Sequence, residues 1–263
     1  MQKTTIRLSA NIRQELQLLS EKYETIDFLQ GDPAWFMHQV IGEKNQETIA
    51  FIASCLSYGN RKAFFPKLQN ILAFTNGEPY NWVKKGLFLN NIPNDTNSFY
   101  RLYSNKMMRN FLASLQKMLI KHNSIKEYIQ QYSKTKTTIS PHKIDTILAV
   151  EALCQYFSAQ GFMGIVPKDT SSSCKRVCMF LRWMVRDHSP VDIGIWGDFI
   201  DKKSLIIPLD THVLQQSMRL GINKSKTTSM TTARNITAQL RKVFPNDPLK
   251  GDFALFGYGI NAK

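Results

Sequence analysis

The chain has 263 residues, 43% of them hydrophobic and 21% charged, with a formal net charge of +14 at pH 7. This composition excludes a disordered chain and leaves room for one large domain or two small lobes. No run approaches the length of uninterrupted apolar residues that a membrane span needs, and the charge points to a polyanionic partner: DNA, RNA or an acidic membrane surface.

The opening stretch, MQKTTIRLSANIRQELQLL, lacks the continuous apolar segment of a signal peptide. Its apolar spacing predicts a first helix with Ile12, Leu16, Leu19 and Tyr23 on one face and Ser9 as cap. QETIAFIASCLSYGNRKAFFPKLQNILAF predicts two helices turning near Gly59, with Ile49, Ile52 and Leu56 buried in the first and Phe64, Leu68, Ile71 and Leu72 in the second. Breaks follow at NGEPYNW and NNIPNDTNS. Residues 99–132 then give one or two helices, residues 134–143 a solvated loop, and residues 144–162 a helix ending near Gly161. In VPKDTSSSCKRVCMFLRWMVR, residues 166–173 read as turn and cap. Residues 174–186 read as a helix with Val177, Leu181, Met184 and Val185 inward.

A long irregular connection leads to DTHVLQQSMRLG, a helix closed by Gly221. SMTTARNITAQLRKVFP is a helix with Ala233, Ile236, Leu240 and Val243 inward, stopped by Pro245, and PLKGDFALFGYGI is the last. The class is all-α, with about ten helices and no alternating strands or internal repeats. Four scattered cysteines, Cys55, Cys154, Cys174 and Cys178, form no disulfide framework and suit a reducing, cytoplasmic setting. Cys174 and Cys178, one turn apart with no second pair nearby, read as buried packing rather than a metal site.

The charge is concentrated. Residues 101–143 hold nine Lys and Arg against one acid, Glu127. Residues 175–186 hold four and no acid, and residues 211–246 hold six and no acid. Such segments can merge into a phosphate-neutralising face.

Two segments carry candidate chemistry: TSSSCKRVCMFLRW and PLDTHVLQQSMRLG. Asp210, in the second, is followed by no other acid until Asp247 and stands where a helix cap would stand. A lysine opening a helix, followed by a loop ending in Pro, a hydrophobic residue, Asp, Thr, His and Val, resembles the helix-hairpin-helix DNA glycosylases. That superfamily includes endonuclease III and the 8-oxoguanine glycosylases. CKRVCMFLRWMVR, VDIGIW, PLDTHV and NDPLKGDFALFGYGI are more closely similar to an uncharacterised bacterial family related to those enzymes. FIASCLSYGNRK resembles a helix end that lines the glycosylase cleft.

The resemblance implies an all-α fold of two helical lobes flanking a cleft. One lobe would comprise residues 48–195, the other residues 1–47 plus 196–263. It implies base-excision repair of double-stranded DNA by a monomeric, nucleoid-associated DNA glycosylase with AP lyase activity, and an oxidised purine such as 8-oxoguanine as substrate. Lys175 would be the nucleophile and Asp210 the catalytic carboxylate, with Thr211 and His212 structural. An amine can attack the sugar C1′, and a carboxylate can offset the charge that builds there. Arg176, Arg182 and burial would favour a neutral Lys175, and Asp210 would oppose them.

The hairpin glycines of the superfamily are missing. Ser171, Ser172 and Ser173, with Arg176, are the candidate phosphate-binding residues in their place. Met179, Phe256 and Tyr258 are the candidate base pocket. Gln215 stands where the superfamily often has Arg. No cysteine follows Cys178, so the iron–sulfur cluster of the endonuclease III branch is not expected, nor any other cofactor. These departures keep open a second reading, a nucleic-acid-binding protein with the fold but no activity.

Overall fold

Apolar residues recurring every three or four positions make helix the dominant element. The computed structural model describes residues 8–136, 143–161 and 164–261. In order they form α1 (Ala10–Tyr23), α2 (Glu43–Leu56), α3 (Arg61–Thr75), α4 (Pro79–Lys84), α5 (Phe88–Asn91), β1 (Ser98–Tyr100), β2 (Tyr103–Ser104), α6 (Asn105–His122), α7 (Ile125–Lys136), α8 (Thr146–Ala159), α9 (Lys175–Val185), α10 (Thr211–Arg219), α11 (Met230–Leu240) and α12 (Lys250–Asn261). The all-α expectation holds in its main line. Among the described residues, no helix is long and apolar enough to cross a membrane.

Two local expectations are corrected. Phe99 and Tyr100, expected in a helix, belong to a small antiparallel ribbon in which Tyr100 pairs with Tyr103. Arg101 at its turn has a left-handed φ of 50°, which a right-handed helix cannot accommodate. The solvated loop expected at 134–143 begins later, because α7 continues through Lys136. Residues 137–142 of that loop lie outside the described residues.

The chain divides into two compact units. Unit 1 comprises Met1–Phe28, Asp145–Ile147 and Thr170–Lys263, and unit 2 comprises Leu29–Ile144 and Leu148–Asp169. The helix that begins at Lys175 groups with the C-terminal helices, because its polar side chains find their partners there.

In unit 1, Ser9 caps α1 by accepting the Ile12 N–H at 3.3 Å, as its sequence indicates. Leu16 and Leu19 are buried, and α1 packs along α12. Close approach requires glycine there: a Cβ on Gly257 would lie 2.1 Å from Cδ2 of Tyr23. Gly257→Ala is therefore expected to destabilise unit 1 by about 1–3 kcal/mol through overpacking. Urea unfolding would measure this, and an unchanged midpoint would mean that the Tyr23 ring simply swings aside.

Unit 2 is built around three stacked rings, Phe51 of α2, Phe111 of α6 and Phe157 of α8, with centroids 5.5–6.0 Å apart. Glu47, 3% exposed, reaches from α2 to the start of α7. Its carboxylate accepts the N–H groups of Ile125 at 2.8 Å and Lys126 at 3.0 Å. A buried acid is tolerated there because the helix N-terminus supplies both donors and a favourable dipole.

Candidate active site

Both candidate catalytic residues lie in unit 1, at the N-terminal ends of consecutive long helices. Cys174, just before α9, has a left-handed backbone (φ 48°, ψ 36°), so the chain turns sharply and Lys175 opens the helix. Asp210, after Pro208 and the buried Leu209, is extended and caps α10. The two carboxylate oxygens divide the work. Oδ1 accepts the Val213 N–H at 2.9 Å, while Oδ2 faces the Lys175 ammonium at 2.7 Å. The side chains are 36% and 35% exposed, so the pair is open to a ligand yet partly withdrawn from water.

Burial alone would raise the Asp210 carboxyl. The Lys175 charge and hydrogen bond, the Val213 N–H and nearby His212 outweigh it and hold the carboxyl below its ordinary value. At neutral pH Asp210 is an anion and a poor proton acceptor. It suits charge stabilisation better than general-base work.

The turn before Lys175 is tied to the segment that delivers Asp210. The Ser173 hydroxyl, buried, donates to the Leu209 carbonyl at 2.9 Å. That bond fixes the spacing of the two helix ends and removes the Ser173 hydroxyl from the candidate phosphate set. Ser172 Oγ accepts the Cys174 N–H at 3.3 Å. Ser171 and Ser172 are exposed, and Arg176 is half-buried on the first turn of α9. Cys178 donates its thiol to the Ser173 carbonyl at 3.6 Å, and burial pushes that thiol far above its ordinary value, so it packs as an inert group.

The three candidate base-pocket residues are all half-buried in unit 1. Met179 is half-buried one turn beyond Lys175. Phe256 is drawn into aromatic packing, edge-on to Tyr23 at 6.0 Å and Phe28 at 4.9 Å. Tyr258, half-buried, is on the same helix. His212 is exposed, with its ring beside Gly259, where a Cβ would lie 2.3 Å from Nε2.

A buried ion network lies along the rest of α9, and the sequence reading did not foresee it. Arg182 pairs with Asp192 at 3.3 Å and Asp252 at 2.5 Å. Arg186 pairs with Asp192 at 2.5 Å, Glu24 at 2.6 Å and Asp247 at 2.9 Å. Both guanidinium groups also contact the Phe253 ring, at 4.7 and 5.2 Å. Arg182 is thus paired with two acids of its own. Burial pushes the Asp252 carboxyl up against the pull of Arg182, and the charges of Asp210 and Asp192 add to that rise. Asp252 is therefore a further acid in the electrostatic neighbourhood of Asp210. Only its place in the first turn of the last helix marked it in the sequence.

No curated protein and no solved structure matches the chain. Residues 32–261 match a family described as "Protein of unknown function (DUF2400)", a span that covers both helix ends and all of the ion network except Glu24, and the chain belongs to that family.

Proposed function

We propose that the protein is a DNA glycosylase with associated AP lyase activity, acting on an oxidised purine such as 8-oxoguanine. The observation that carries this reading is the close approach of Lys175 Nζ to Asp210 Oδ2 in a partly exposed site of a strongly basic chain. In the proposed reaction, neutral Lys175 attacks the sugar C1′. The C1′–N bond breaks, and the base leaves with its electron pair and takes up a proton. The Asp210 anion offsets the positive charge that develops at C1′. Opening of the sugar ring then gives a protonated Schiff base. Loss of a C2′ proton expels the 3′ phosphate and cleaves the strand.

The same ion pair supports a second reading. The 2.7 Å contact holds Lys175 in an ion pair that attack on C1′ would have to break. With Gln215 and the serine hairpin, this suits a nucleic-acid-binding protein that has the fold without the chemistry.

Borohydride trapping on a duplex containing 8-oxoguanine separates the two. The glycosylase reading expects a covalent complex that Lys175→Ala abolishes. Salt-sensitive duplex binding without trapping on any of a panel of damaged bases would leave only the second reading.

A further inference from the structure

Away from the pair of Lys175 and Asp210, unit 1 has a polar hollow of about 300 Å³ bordered by Asp145, Ser204, Arg234, Asn235, Thr237 and Arg241. Arg234 lies on α11 and Arg241 caps its C-terminal end seven residues on, so their backbones stand about 10 Å apart along the helix direction. They belong to the acid-free segment, residues 211–246, whose cations the candidate active site does not use. Both are exposed. Arg241 is anchored, with Nη2 donating to the Lys203 carbonyl at 2.6 Å. A guanidinium held by a backbone carbonyl keeps the planar fork of its remaining N–H groups in a fixed direction, which suits the oxygens of a phosphate.

The lining is rigid as well as polar. The Thr237 hydroxyl is buried and bonded twice, accepting the Ile207 N–H at 3.0 Å and donating to the Ala233 carbonyl at 2.8 Å. Ser204 Oγ accepts the Thr146 N–H at 2.9 Å and donates to the Asp201 carbonyl at 2.7 Å. The one acid of the lining, Asp145, accepts the Ile147 N–H at 2.9 Å and is exposed at the rim. Two guanidinium groups against one solvated carboxylate leave a net positive hollow.

We infer that this hollow binds a phosphate group between Arg234 and Arg241, as a second anion contact separate from Lys175. The inference deepens the nucleic-acid reading but does not depend on the chemistry of Lys175. The phosphate can belong to a nucleic-acid backbone or to a small free phosphate compound, and the test tells these apart.

The salt dependence of duplex binding would be measured for the wild type, Arg234→Gln, the double variant Arg234→Gln/Arg241→Gln, and Lys175→Ala. Thermal melting would be followed in parallel with inorganic phosphate or a mononucleotide, against chloride at equal ionic strength. For a backbone phosphate, the slope of log K against log salt falls by about 0.9 in the double variant, the loss of one phosphate contact, and by up to that amount in Arg234→Gln. For a free phosphate compound, the slope is unchanged, but the phosphate-induced rise in melting temperature disappears in both variants. Neither change, in variants that melt as the wild type does in chloride, overturns the inference. If the double variant does not fold, Arg234→Gln alone decides. Trapping reports on Lys175 alone. A wild type that traps while the hollow variants show no effect loses only this inference. A wild type that does not trap but shows either phosphate effect loses only the glycosylase reading.

Discussion

Arg186→Met is expected to lower the stability of unit 1 by about 3–5 kcal/mol, the largest single-residue effect predicted for this chain. Arg186 is 1% exposed and meets Asp192, Glu24 and Asp247. Burial alone would push its guanidinium down, but the three carboxylates outweigh burial and hold it above its ordinary value. Methionine fits the apolar stem and the Phe253 contact but takes the shared cation from three acids, and leaves the fully buried Asp192 with Arg182 alone. Removing one of those charges as well should relieve the repulsion. The double variant Arg186→Met/Asp192→Asn should therefore recover part of the loss, a non-additivity expected only of residues in direct contact. Urea unfolding with a tryptophan signal would measure both. A loss below about 1 kcal/mol for the single variant would mean that water enters and solvates the acids.

The second large effect concerns Asp210, whose two oxygens have separable tasks. Asp210→Asn keeps an oxygen for the Val213 N–H but removes the charge opposite Lys175. Stability should fall by no more than about 1 kcal/mol, the worth of a partly exposed ion pair. Trapping should slow by about 10²–10³-fold, the usual loss when a group that stabilises transition-state charge is removed. Asp210→Ala also removes the cap and should cost about 1 kcal/mol more in stability. If Asp210 were only a cap, the Asn variant would trap at the wild-type rate, and that rate is the decisive measurement. The pH dependence follows from the depressed carboxyl. The stability that the charged form contributes is fully present above the unfolded aspartate value, about 3.9. It is lost as the pH falls through the lower folded value. The stability gap between wild type and Asp210→Asn should be constant at neutral pH and close only in strong acid.

Those two residues were legible in the sequence because their signals are local. A capping aspartate after Pro208 and a lysine before an apolar run each announce a helix start within a few residues. Most of the helices were legible for the same reason. The partners of Arg182 and Arg186 were not, since Glu24 is 162 residues from Arg186 in the chain and Asp252 is 70 from Arg182. No periodicity marks contacts that distant. Ser173 shows another limit. A hydroxyl aimed inward at the Leu209 carbonyl and one aimed at solvent look identical in sequence. The ribbon at Tyr100 and Tyr103 was too short for alternation to register, and its turn rests on the left-handed Arg101.

The pairing of α1 with α12 also dictates an order of events during synthesis. Unit 2 is nearly contiguous, and all of it has been made by Asp169, so its stacked aromatic core can form early. The first helix, made before any of unit 2, has its main packing partner in a segment made more than two hundred residues later. Until Gly257 and its neighbours emerge, the apolar face of α1 has no mate, and a stalled or truncated chain would display it. Unit 1, which carries Lys175 and Asp210, is therefore the last part to mature.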